Sequence, residues 1–287
     1  MEAIQTMFLT KKYKDLTAVD QLNLSIKQGE LFSLLGVNGS GKTTTIKMLS
    51  CLTKPTGGEA YVGGHSIEAD ALSVKRMIGV SPQETAVAQN LSVKENLELI
   101  CGVHGFAKEK CQEKIKALSE QFHLDDMLTK KAGKLSGGWQ RKLSLAMALI
   151  SEPSIIFLDE PTLGLDVIAR SELWDAIRAL KGKVTIILTT HYMEEAAKAD
   201  DIIIIDHGKV LTQGTPFELK ERYAKDKVIF YYDDINGKRC EEILLDSTLD
   251  AIEIIQNRRD KIGGFEVIQG NMDDVFLNAV GKTLQEE

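Results

Sequence analysis

Over its first 220 residues the 287-residue chain alternates short apolar runs with longer stretches of helical length. Residues 31–35 form an apolar run that enters a Gly-rich turn, and residues 154–158 and 184–188 are apolar or β-branched runs of strand length. Residues 202–205 are four consecutive isoleucines, the pattern of a strand buried on both faces. Residues 42–51 and 167–180 have the length of helices. Apolar strands alternating with helices predict an α/β layered domain with a largely parallel sheet.

Two stretches break this rhythm. Residues 84–150 hold no strand-like run and read as helices over 93–103, 108–122 and 139–150, a helical insertion within the α/β domain. From residue 221 onward, 227–233 and 239–245 read as strands flanking Asn236-Gly237, a hairpin signal because both turn residues tolerate positive φ. A helix over 248–258, a strand over 265–269 and a helix over 271–280 follow, with Asn271 as cap and Asp274 three residues on. The chain therefore divides into a large domain, 1–220, and a small C-terminal α+β unit, 221–287.

Composition narrows the classes. Hydrophobic residues make up 43%, enough for a substantial core. The net charge of −7 argues against a general nucleic-acid binder, which needs surplus Lys and Arg, and against adhesion to anionic lipid by charge alone. Residues 1–220 are almost balanced in charge, so the acid surplus belongs to 221–287. The longest apolar run, 145–150, is far short of the roughly 20 residues of a membrane helix. Residues 1–9 lack the pattern of a signal peptide, and four scattered cysteines suit a reducing cytosol better than a disulfide framework. Cys101, His104, Cys111 and His123 match no common zinc spacing and read as packing in the helical insertion.

Two motifs carry chemistry. Gly36-Val37-Asn38-Gly39-Ser40-Gly41-Lys42-Thr43 fits G-x-x-x-x-G-K-[ST] between an apolar strand and a helix, the context in which backbone N–H groups and a helix N-terminus cradle phosphates. Lys42 is then expected to reach the β- and γ-phosphates and Thr43 to ligate Mg²⁺. Residues 155–160 form an apolar strand ending in Asp159 and Glu160. Placed beside the phosphate-loop strand, this strand would carry Asp159 to the metal and leave Glu160 to polarise a water.

Leu135-Ser136-Gly137-Gly138-Trp139, with these two motifs and in this order along the chain, resembles the ATP-binding-cassette (ABC) ATPases over residues 1–220. The resemblance implies a P-loop NTPase fold with ATP and Mg²⁺ as ligands. Residues 36–44, including Thr44, correspond to the Walker A loop, 155–160 to Walker B with catalytic Glu160, and 135–139 to the signature segment. Trp139 stands at the fifth signature position, where Gln is common. Gln83 matches the Q-loop glutamine that senses the metal or the attacking water, and His191 the switch histidine. Asp166 in Pro161-Thr162-Leu163-Gly164-Leu165-Asp166 matches the D-loop, and Tyr13 the aromatic that stacks on adenine.

In that family the signature segment, here Ser136, Gly137 and Gly138, contacts ATP bound to an opposite cassette, so a second ATP-binding subunit is implied, identical or not. One contiguous cassette without coiled coil or basic surplus favours a transporter subunit working with separate integral-membrane permease subunits. It would sit peripherally on the cytoplasmic face of the cell membrane, touching the membrane only through the permease and binding no nucleic acid. Residues 272–277 with Val280-Gly281, and the wording of 189–196, resemble ATPases serving bacterial export permeases for drugs, antibiotics, lipids or glycoconjugates. An importer ATPase, and a non-transport ABC regulator of translation or DNA maintenance, remain alternatives. A binding module that has lost hydrolysis is disfavoured by the presence of both Glu160 and His191.

Overall fold

The computed structural model describes residues 1–234 and 237–286, including their side chains apart from those of 233–238 and 282–286. It opens with two long antiparallel strands, β1 (Glu2–Tyr13) and β2 (Leu16–Lys27). Leu22, Leu24 and Ile26 are buried while Asn23, Ser25 and Lys27 are exposed, the period-two alternation of a sheet with one wet face. β3 (Leu31–Leu35) then leads through the glycine loop into α1 (Lys42–Leu49). β4 (Gly57–Val62) and β5 (His65–Ser66) complete a four-stranded sheet of order β2-β1-β4-β5. The antiparallel sheet is the main departure from the expected parallel α/β pattern.

Next come α2 (Ala71–Met77) and β6 (Ile78–Ser81). The expected helical insertion is present as α3 (Val93–Val103), α4 (Lys108–Phe122) and α5 (Gly137–Leu149). α3 starts with a capping box in which Ser92 and Glu95 satisfy each other's backbone N–H. β7 (Ile155–Asp159), α6 (Val167–Arg178), β8 (Thr185–Thr190), the single turn α7 (Met193–Ala196), β9 (Asp201–Asp206), β10 (Lys209–Gly214) and α8 (Pro216–Tyr223) follow.

The central sheet has the order β10-β9-β3-β8-β7-β6, with all pairings parallel except the β9–β10 hairpin. Its side chains alternate between two cores. Leu31, Leu35, Ile156, Leu158, Ile202 and Ile204 pack towards the helical side. Phe32, Leu34, Ile155, Phe157, Ile203 and Ile205 pack against α1 and the antiparallel sheet. The isoleucine run is therefore apolar throughout because both of its faces are covered.

β11 (Asp226–Asp234) and β12 (Gly237–Leu245) pair antiparallel, with α9 (Asp250–Arg258) and β13 (Gly264–Ile268) after them. The sheet order is β12-β11-β13, and Val228, Phe230, Leu245 and Ala251 form a separate small core. The strands bear out the expected hairpin, although its turn residue Asn236 lies outside the described residues. α10 (Met272–Glu286) is capped by Asn271, whose side chain accepts from the N–H groups of Asp273 and Asp274. Its buried stripe of Met272, Val275, Phe276 and Ala279 joins the core of the large sheet, against α7, α8 and β10, rather than the small one. The last helix thus ties the C-terminal unit to the cassette.

Candidate active site

The phosphate-loop strand β3 and the acidic strand β7 are not neighbours, because β8 lies between them. The two motifs meet all the same. β3, β8 and β7 run parallel, so their C-terminal ends lie along one edge of the sheet, where open α/β sheets hold ligands. Thr189, near the end of β8, spans the gap: its hydroxyl donates to Asp159 Oδ1 at 2.6 Å and accepts from the Glu160 N–H at 2.9 Å. Thr43 Oγ1 donates to the same Asp159 oxygen at 3.1 Å.

A cavity of about 370 Å³ opens above this edge. It is lined by Tyr13, Leu16, Ala18, Asn38, Gly39, Gly41, Lys42, Thr43, Thr44, Gln83 and Glu160, which brings together nine of the residues singled out in the sequence. Gly36, Ser40, Asp159 and His191 are not among its lining residues. Gly41 has a φ of 108°, and a Cβ there would collide with the Ala18 carbonyl, so only glycine lets the loop turn into α1 at this point. α1 has no side-chain cap, which leaves its first-turn N–H groups directed at the cavity end. The buried Ser40 hydroxyl also has no hydrogen-bond partner among the described residues.

Lys42 is nearly buried and folds back on its own loop, donating to the carbonyls of Gly36 at 2.8 Å and Val37 at 3.0 Å. Burial pulls its ammonium below the usual lysine range, and Glu160, 3.6 Å away, opposes that shift. Glu160 sits at φ 46°, a left-handed conformation that costs a side-chain-bearing residue roughly 1–3 kcal/mol. The turn swings its carboxylate off the alternating pattern of β7 and into the cavity. There one oxygen stands 3.4 Å from Gln83 Nε2 and the other 3.4 Å from His191 Nδ1. The His191 contact lacks hydrogen-bond geometry, since Nδ1 has no hydrogen-bond partner among the described residues.

Three contributors, Thr189, Arg141 and Glu195, are not among the site residues expected from the sequence. Thr189 is described above. Buried Arg141 of α5 donates to the carbonyls of Pro82 and Gln83, pinning the segment that presents Gln83. Burial lowers the Arg141 guanidinium, with Asp159 and Glu160 opposing. Glu195 is buried beneath the turn that holds His191. An Arg on the apolar face of a helix, and a Glu within a few residues of a strand-end His, are the signals that mark the last two.

Tyr13 lies half-exposed at the rim, with Lys11 Nζ 4.9 Å from its ring centre. Ser136, Gly137, Gly138 and Asp166 do not join this wall. Ser136 and Gly137 are exposed at the uncapped start of α5, and Gly138 packs so tightly that a Cβ would come within 2.8 Å of Ala169. Asp166 is exposed and caps α6 by accepting from Ala169 N–H at 2.9 Å. In the helical insertion, burial and a hydrogen bond with Cys111 push the Cys101 thiol up to about 12, which makes it a poor metal ligand.

A glycine loop feeding a helix, a buried lysine and a Thr–Asp pair at the edge of a parallel sheet define a P-loop nucleoside-triphosphatase. Similarity to known proteins narrows the class. A family profile described as ABC transporter matches residues 19–163. The daunorubicin/doxorubicin resistance ATP-binding protein DrrA of Streptomyces peucetius is 33% identical, over 97% of this chain and 92% of that one. The Nod factor export ATP-binding protein I of Burkholderia thailandensis is 34% identical, over 96% of each. The probable multidrug ABC transporter ATP-binding protein YbhF of Escherichia coli is 40% identical over 78% of this chain, which spans only 39% of that protein. Among solved structures, the ATP-binding cassette MJ0796, a dimer in a post-hydrolysis state bound to ADP and Pi, superposes with a TM-score of 0.68. It is 29% identical and covers 74% of this chain and 98% of its own. The chain belongs to the ABC transporter family as an ATP-binding subunit, and it is an ABC-type ATPase that binds ATP.

Proposed function

We propose that this subunit hydrolyses ATP between two cassettes to drive export through separate membrane permease subunits. The cluster of Lys42, Gln83 and His191 around Glu160 is the observation that carries the hydrolytic part. Relatives named for drug resistance and Nod factor export support the direction.

On this reading the adenine of ATP stacks on Tyr13, and its phosphates lie along the loop from Gly36 to Thr44. There the N–H groups of Gly39, Ser40, Gly41 and the first turn of α1 receive them, and Asn38 flanks the chain. Lys42 releases its carbonyl partners for the β- and γ-phosphates. Thr43 Oγ1 and Asp159 Oδ1, 3.1 Å apart, are hard oxygen donors of the kind Mg²⁺ takes, with Gln83 adjacent. When bound, the metal neutralises phosphate charge. Glu160 orients a water in line with the γ-phosphate and takes its proton, while His191 donates to the γ-phosphate. Ser136, Gly137 and Gly138 of one cassette, with Asp166, meet the nucleotide of the other. The second cassette is identical or a homologue.

No helix among the described residues is long and apolar enough to cross a membrane. As a partner of permease subunits, the subunit sits peripherally on the cytoplasmic face of the cell membrane on this reading. The permease is its only membrane contact, and it binds no nucleic acid. Residues 1–220 are the nucleotide-binding domain, and 221–287 an accessory unit anchored by α10. Affinity purification from native membranes tests the proposal. A co-purifying multi-span chain, and export by vesicles holding both that stops when Lys42 is replaced by Ala, are expected. Co-purification with ribosomes or DNA-repair factors and no membrane chain would overturn it.

A further inference from the structure

Glu195 belongs to no nucleotide-binding motif and lines no part of the ATP cavity, yet its carboxylate is almost wholly buried. Such a group needs partners to offset its lost hydration. One oxygen accepts from the hydroxyl of Thr162, two residues beyond Glu160 in the segment that ends at Asp166. The other accepts from Thr190 Oγ1 at 2.8 Å, and Thr190 immediately precedes His191. Arg170 of α6, the helix that Asp166 caps, supplies the compensating charge with Nε 3.8 Å from Glu195. Its guanidinium also covers the Tyr192 ring at 4.7 Å, and that ring lies 4.1 Å from the ring of His191.

Both hydroxyl donors sit in segments that hold the reacting edge. Thr190 uses its carbonyl to accept from the Gly36 N–H at the start of the phosphate loop, at 3.3 Å, and its hydroxyl to accept from the Tyr192 N–H at 3.0 Å. Thr162 uses its carbonyl to accept from the Leu165 N–H at 3.1 Å, closing the turn before Asp166. One carboxylate thus joins the loop of His191 to the loop of Asp166, and neither loop can shift relative to the other without breaking a hydrogen bond to it. We infer that Glu195 is a positioning residue that makes these two loops move as one. Through it the fit of Asp166 against a second cassette sets the position of His191 beside Glu160.

This inference rests on the proposed roles of Glu160, His191 and Asp166, and its test keeps the two apart. Turnover, ATP affinity and dimerisation with a non-hydrolysable ATP analogue are measured on the full chain for Glu195→Gln, Thr162→Val, Thr190→Val and the double valine variant. Thr162→Ser and Thr190→Ser keep the hydroxyls. Glu195→Gln is expected to lower kcat roughly ten- to a hundredfold, the scale on which small misplacements act, with KM for ATP within about twofold because the loop wall is untouched. Analogue-driven dimerisation weakens in parallel. The double valine variant is no worse than Glu195→Gln, since both act through one carboxylate, and the serine variants keep wild-type turnover.

Wild-type turnover and dimerisation in Glu195→Gln would overturn the inference. So would valine effects that multiply, or serine variants as impaired as the valines. Should Glu195→Gln lose its fold, seen as a collapsed melting transition, the single valine variants decide by the same kcat and KM criteria. The underlying site reading fails separately, if Glu160→Gln turns over ATP at the wild-type rate.

Discussion

α1 and α5 begin alike and are surrounded differently. α1 starts just after Gly39-Ser40-Gly41 and α5 just after Ser136, with Gly137 and Gly138 as its first residues; neither has a side-chain cap, so both first turns present N–H groups that attract anions. At α1 the helix start is enclosed: Lys42 is buried, and Asp159, Glu160, Gln83 and Tyr13 stand around it. At α5, Ser136 and Gly137 are exposed, and these residues take no part in lining the cavity. One anion site comes with its acids and its lid of aromatic and glutamine side chains. The other offers donors alone, facing outward. On the proposed function, α1 and its acids form most of one nucleotide pocket and the exposed start of α5 completes the pocket of a second cassette.

Variants on the two sides break or sharpen this contrast. The largest effect belongs to the enclosed side. Glu160→Gln keeps the shape and removes the proton acceptor, so phosphate release should fall about 10²- to 10⁴-fold while ATP remains bound. Ordinary turnover would mean that the acids beside α1 do not perform the chemistry. Next is the bare side. Gly137 has room for a side chain, its nearest neighbour from an added Cβ being Leu165 Cδ2 at 3.8 Å. Gly137→Asp should then leave the melting temperature and the monomer's ATP affinity unchanged, while like-charge repulsion lowers cooperative turnover about tenfold or more. Loss of monomer ATP affinity instead would place α5 in its own chain's pocket. The smallest effect is at the rim. Tyr13→Ala removes one stacking face from a half-exposed position and should weaken ATP about fivefold, measured by equilibrium binding with kcat unchanged.

The parts of the site legible in the sequence are those whose function depends on contiguous backbone. The loop from Gly36 to Thr44 needs a strand before it, glycines within it and a helix after it, and all three lie within twenty residues. The helical insertion was equally legible, with α3 and α4 at their expected bounds, because helical periodicity is local. β1 and β2 were less so. Leu22, Leu24 and Ile26 do alternate with polar neighbours, but register shifts interrupt the β1 pairing at several points and blur the pattern.

The sequence by itself determined that a phosphate cradle forms and that an acid pair ends a buried strand. Chain neighbours produce each of these, so no distant contact is needed to specify them. Only the tertiary structure decided that β8 separates the two motif strands and that Thr189 closes the gap between them. The same holds for α10, which docks on the cassette core although it follows the small sheet in the chain. It holds again for Glu195, which gathers Thr162, Thr190 and Arg170 around one carboxylate. Strand order and helix docking are set by which apolar faces cover each other across the whole domain, a global packing outcome that no local window of residues encodes.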